Sequence, residues 1–161
     1  MANSYQLVAW TERGRVKMIP SELSSYLQTE LDAINHLESR IRYRSDYERG
    51  DIIRLSQAYE RLALRLLDLG RTEYVFLQYA QAAKCCLSSS EWDDTEWGEI
   101  LCRPLQGRFF AMFCECKGLV KRYPKLRLYW SESGVQQACD RVTSALRLFS
   151  AEMEDGAKTE F

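Results

Sequence analysis

The residues best equipped for chemistry are six cysteines, since thiolates act as nucleophiles and soft metal ligands. Cys114 and Cys116 flank Glu115 and look like a chelating pair. On a helix, however, residues two apart point about 200° away from each other, so these sulfurs cannot grip one ion. Cys85 and Cys86 are adjacent, about 100° apart on a helix. Cys86 falls on the row of Val75, Tyr79 and Ala82, whereas Cys85 falls with Gln78 and Gln81 on the polar side. There is no C-x-x-C, the paired spacing from which structural zinc sites are usually built. The thiols are therefore expected to pack as small apolar groups between helices, with no metal and no cofactor. Cys85 is the one expected to meet solvent and to react, if any does.

His36 is the single histidine, so any Ser/His/Asp or Cys/His nucleophile would have to use it. No G-x-S-x-G elbow accompanies it, and no glycine-rich strand–turn–helix occurs to cradle a phosphate. Beside Asn35 and Leu37, His36 reads as a surface or partly packed residue. Five carboxylates, Glu91, Asp93, Asp94, Glu96 and Glu99, surround Trp92 and Trp97. That segment could hold a cation or a basic peptide, but calcium loops need a more regular ligand series with a turn glycine. It is expected to be a solvated loop pinned by its tryptophans. Glu60 stands apart. It falls inside an apolar arc with Ile53, Leu64 and Leu67, where a carboxylate needs a partner or a raised pKa. An arginine or a tyrosine hydroxyl is the expected partner.

Two basic features complete the inventory. Arg54, Arg61 and Arg65 form a stripe at helical spacing. Lys117, Lys121, Arg122, Lys125 and Arg127 surround Tyr123 and Trp130. Cations among aromatics suit phosphates or single-stranded nucleic acid. The net charge of −1 and the lack of any known nucleic-acid module argue against that use, so nucleic acid is disfavoured as a partner. No enzyme signature emerges, and the chain reads as a non-enzyme.

The elements that must position these residues are helical. The chain has 161 residues, 46% hydrophobic and 28% charged, with only three prolines and eight glycines. That profile suits one soluble domain with long helices and a core of its own. No run is long and apolar enough to span a membrane, and the first residues lack the pattern of a secretory signal, so a cytoplasmic location with free thiols is expected. Residues 1–20 form an arm or a short hairpin around Gly14, residues 21–154 a single helical domain, and residues 155–161 a flexible tail.

Five helices are expected. The first runs from Ser21 to Tyr43 with Leu23, Leu27, Leu31, Ile34 and Ile41 on one stripe. The second, Asp51 to Leu69, is apolar over more than half its circumference and must touch neighbours on two sides. Gly70 ends it, and the third follows from Thr72 to Leu87. Ser90 and Asp93 offer a capping-box-like start for a short helix. The fourth begins at Pro104, carries Leu105, Phe109, Met112, Cys116 and Val120, and ends near Tyr123. "KLRLYW" reads as an extended or irregular link. The fifth spans Gly134 to Met153, with Val135, Cys139, Val142, Leu146, Phe149 and Met153 on one face.

Residues 58–86 resemble a tetratricopeptide repeat, a helix–turn–helix unit of about 34 residues. Tyr59, Leu62, Ala63 and Leu66 match its first helix, Gly70 its turn, and Val75, Tyr79 and Ala82 its second helix. A degenerate echo spans 109–142, where Phe109, Met112, Phe113 and Cys116 precede Val135, Cys139 and Val142. "KGLVKRYPKLRLYWSESG" is inserted between its halves, and the turn glycine is missing. The fold class is thus all-α: about five antiparallel helices, either tetratricopeptide-like or an irregular helical bundle. The resemblance implies a scaffold or adaptor that binds a protein or peptide. Glu60, Leu64, Leu67, Arg54, Arg61 and Arg65 are the candidate contacts. Alternatives are a self-associating homo-oligomer, an enzyme with a site around Glu60, and a nucleic-acid-binding helical protein.

Overall fold

The computed structural model describes residues 19, 21–43, 49–87, 103–144 and 146–147. Among them every regular element is helical and no strand occurs, so the fold is all-α. We label α1 Ser21–Ser24, α2 Gln28–Tyr43, α3 Arg49–Asp68, α4 Thr72–Lys84, α5 Arg103–Arg122, α6 Arg127–Ser133 and α7 the helical residues 135–144 and 146–147. One-turn 3-10 helices follow α4 at Cys85–Leu87 and α5 at Pro124–Leu126. The expected short helix from Ser90, the acidic aromatic segment, most of the N-terminal arm, the tail, Phe149 and Met153 lie outside the described residues.

α3 is rich in leucine, arginine and alanine, which lose little freedom in a helix. Its end is set by Gly70 at φ +72°, a backbone geometry open to glycine at little cost. The Gly70 N–H donates to the Leu67 carbonyl at 3.0 Å and the Arg71 N–H to the Leu66 carbonyl at 3.1 Å, so the last turn is closed by a Schellman motif. The chain then reverses into α4. Ser56 on α3 meets Ala82 on α4, as an antiparallel hairpin folded at Gly70 requires.

The first expected helix is broken. Tyr26 N–H donates to the Leu23 carbonyl and Leu27 N–H to the Ser24 carbonyl, tightening the chain between α1 and α2. Ser24 and Ser25 favour such a break because short hydroxyl side chains compete with the backbone ladder. The stripe survives it, since Leu23, Leu27, Leu31 and Ile34 are all buried. "KLRLYW" is helical rather than extended: Pro124 starts a new turn, where its missing N–H costs nothing. Leu126 is buried and Trp130 is partly so, four residues apart, which is helical spacing.

The most enclosed helix is α4 rather than α3. Every residue from Val75 to Ala83 is buried. Ala80, Ala82 and Ala83 let neighbouring helices approach closely, and α3, α5 and α6 pack around it. Lys84 donates to the Ser133 carbonyl at 2.7 Å, tying the end of α4 to the end of α6, where a cation favours the exposed carbonyls. Phe109 also stacks with Phe113 at 6.0 Å between ring centroids, and Phe113 leads to Trp130 at 5.4 Å. This aromatic run joins α5 to α6. No helix among the described residues is long and apolar enough to cross a membrane.

Candidate functional site

Glu60 has an arginine partner, on a helix that sequence reasoning did not connect to it. Arg108, near the start of α5, donates from Nη2 to Glu60 Oε1 at 2.6 Å. The same guanidinium donates from Nε to Ser56 Oγ at 2.9 Å and touches the Met112 sulfur at 3.4 Å. Ser56 Oγ in turn donates to the Ala82 carbonyl at 2.6 Å. One chain of polar contacts therefore runs from α5 through α3 to α4. The Arg108 side chain is 16% exposed and that of Glu60 31%. A charge pair this sheltered is held by its geometry and is costly to break from one side.

The adjacent cysteines close the inner end of this seam. The Sγ atoms of Cys85 and Cys86 lie 3.4 and 3.5 Å from the Ala82 carbonyl, which Ser56 already engages. Burial pushes the Cys85 thiol well up from its ordinary range. Cys86 is held lower, because the Cys85 S–H faces it, with the Ser56 hydroxyl and the Arg108 charge adding to the effect. Both thiols are buried, so the expectation that Cys85 meets solvent is corrected. The reason is α4: its supposed polar side, Gln78, Gln81 and Cys85, is covered as completely as its apolar side. Both amide atoms of Gln78 are buried without a hydrogen-bond partner among the described residues. Cys114 is the exposed thiol and Cys116 is buried, so that pair splits as its spacing requires. Burial drives the Cys116 thiol far up, with the Glu115 charge adding to the rise, and it stays protonated. Among the described residues no group of three or more His, Cys, Asp or Glu converges as metal ligands would. His36 is exposed.

Tyr79, on α4, is perturbed from both flanks. Burial raises its phenol pKa, and the Glu115 and Glu60 carboxylates raise it further. A phenol whose ionisation is resisted by burial and by two carboxylate charges stays neutral and does not act as a base.

Beyond Glu60, its row continues along α3 to Leu64 and Leu67, at the i, i+4, i+7 spacing of one helix face. Leu64 is 47% exposed and Leu67 41%, on a helix that fully buries Leu62 and Leu66. The arginines divide. Arg54 pairs with Asp51 at 2.8 Å, and Asp51 also takes Arg40 at 3.1 Å, which joins α2 to α3. Arg65 pairs with Glu30 at 3.0 Å and donates to the Tyr26 carbonyl, clamping α3 to α2. Arg61 is exposed and, among the described residues, forms no ion pair. Of the six candidate contacts, Glu60 and Arg65 thus hold helices together, Arg54 pairs within α3, and Arg61, Leu64 and Leu67 face outward.

Sequence reasoning missed Arg108, Ser56 and the buried pair in which the Tyr59 hydroxyl donates to Glu38. Arg108 had a faint signal: it sits between Leu105, Phe109 and Met112, which are all buried, so at least its stem had to lie near the core. Comparison with known proteins finds no matching family model, no matching curated protein and no matching solved structure.

Proposed function

We propose that the chain is a non-enzymatic helical scaffold or adaptor that binds a protein or peptide partner through the outer face of α3. The observation that carries this reading is the outward pair Leu64 and Leu67. Single exposed leucines are ordinary on protein surfaces. Here two adjoin on one face, with Arg61 beside them, and Leu69 is also 42% exposed at the end of the same helix. Because each leucine is already more than half covered, burying the rest is worth about 1 kcal/mol apiece, so the pair contributes part of what anchors a partner helix or strand. The resemblance of the α3–α4 hairpin to a tetratricopeptide repeat supports the same reading. The Cys85 and Cys86 thiols and the Tyr79 phenol are buried, which disfavours them as nucleophiles for an enzyme site around Glu60.

The test is affinity capture from native cells, comparing the natural chain with the Leu64→Glu/Leu67→Glu variant. A partner retained by the natural chain and lost by the variant, with helical circular dichroism unchanged, supports the reading. A partner retained equally by both would sink it. Sedimentation of the purified chain decides whether the partner is a second copy: self-association that vanishes in the variant identifies a homo-oligomer.

A further inference from the structure

The second half of α5 and the start of α6 frame an open cleft of about 540 Å³. Val120, Pro124 and Trp130 make its floor, and Lys117, Lys121 and Arg127 stand around it. The floor is firm, because Trp130 lies 5.4 Å from Phe113 and 6.4 Å from Phe76 between ring centroids and so continues the core. All three cations are exposed, and among the described residues none of them is in an ion pair with a carboxylate. Arg54, Arg65 and Arg108, by contrast, are matched by Asp51, Glu30 and Glu60. Lys117 Nζ lies over the Phe113 ring at 5.8 Å, a contact that leaves its charge uncancelled. Cations without a carboxylate partner, grouped over an apolar floor, repel one another and focus a positive field that attracts an anion.

The floor adds a second requirement. An anion without an apolar part would leave Trp130, Val120 and Pro124 uncovered. The cleft is larger than any one side chain, and its open shape suits a large side chain together with the flanking residues of a longer chain rather than a small molecule engulfed whole. Arg127 can pair with a carboxylate in a fork, while lysine stems lie along apolar surface and hold their ammonium groups over it.

We infer that this cleft binds an acidic peptide segment. One aromatic or large aliphatic side chain rests on Trp130, Val120 and Pro124, and flanking carboxylates pair with Lys117, Lys121 and Arg127. The cleft is built from different helices than the Leu64–Leu67 face, so it is a second recognition surface and does not depend on the first.

The experiment is fluorescence anisotropy on the full chain with a short labelled peptide of glutamates around one phenylalanine. Its comparators are the same peptide with serine for phenylalanine and a labelled oligothymidylate. The phenylalanine peptide should bind about tenfold more tightly than the serine peptide, as covering one aromatic ring implies. Lys121→Glu/Arg127→Glu should weaken it about tenfold or more, and added salt should weaken it too. Leu64→Glu/Leu67→Glu should leave it unchanged, which separates failure of the cleft from failure of the α3 face. If the charge-reversal variant loses helicity, Lys121→Ala/Arg127→Ala supplies the same comparison with a smaller loss. Equal binding of the two peptides, binding undiminished in the charge variants, no binding at low salt, or tighter binding of the oligothymidylate would each overturn the inference.

Discussion

The part of α3 up to Glu60 turns Asp51, Ser56 and the greater part of Glu60 inward, while the part beyond it leaves Leu64 and Leu67, and Leu69 just past its end, in contact with water. One helix thus carries polar groups where a core is expected and apolar groups where a surface is expected. The inward groups are tolerated because each finds a partner on another helix: Arg40 for Asp51, the Ala82 carbonyl for Ser56, Arg108 for Glu60. Such pairs add less net stability than apolar packing does, but they penalise any docking that separates them. The outward leucines have no such compensation within the described residues. The difference teaches where each part acts, the first in fixing how α2, α4 and α5 sit on α3 and the second in what the finished domain presents.

Mutations can break or sharpen this contrast. The largest effect is expected at Arg108. Replacing it with methionine leaves Glu60 and Ser56 without their shared donor, and urea denaturation should show a loss of about 2–3 kcal/mol, below the cost of a fully buried pair because both side chains keep some exposure. Adding Glu60→Leu to that variant should recover much of the loss, and a double variant no more stable than the single would show that the pair is not coupled. Ser56→Ala comes next, at about 1 kcal/mol, through the lost bond to the Ala82 carbonyl.

A smaller effect is expected in alkali. The Tyr79 pKa is raised above the ordinary value of 10.0 by burial first, then by Glu115 and Glu60. The unfolded chain therefore releases this proton at lower pH than the folded one. The stabilisation from holding Tyr79 neutral is present in full below that ordinary value and is lost as pH rises through the raised folded value. Denaturation followed across this range should fall less steeply for Tyr79→Phe than for the natural chain, and identical slopes would assign the alkaline loss to other groups. The smallest stability effect belongs to the outer part: Leu64→Glu/Leu67→Glu should stay within about 0.5 kcal/mol per site. A loss of several kcal/mol there would mean that these leucines are part of the core.

Much of the architecture is legible in the letters. Periodic leucines mark α2 and α3, Gly70 marks the reversal, and Pro104 marks the start of α5, because each of these signals acts within a few residues along the chain; the helical turn at Pro124 and α6 are not legible in the same way. Cys86 and Cys116 can be assigned to the interior from spacing alone. The candidate site is less legible. Glu60 announces that it needs a partner, yet nothing local names Arg108, because the bond spans 48 positions and depends on how α5 docks. Gln78 and Cys85 mislead, since a polar letter at a regular spacing implies a wet face only when that face is left open.

By itself, then, the sequence determined the longer helices, the hairpin at Gly70 and the all-α class, since backbone hydrogen bonds, caps and apolar period are local properties. Only the tertiary structure decided that α4 is enclosed on every side from Val75 to Ala83, that Arg108 belongs to Glu60, and that Leu64 and Leu67 face outward. Those outcomes depend on which helices meet which faces. Small alanines on α4 let its neighbours close around it, and no helix among the described residues covers the outer end of α3.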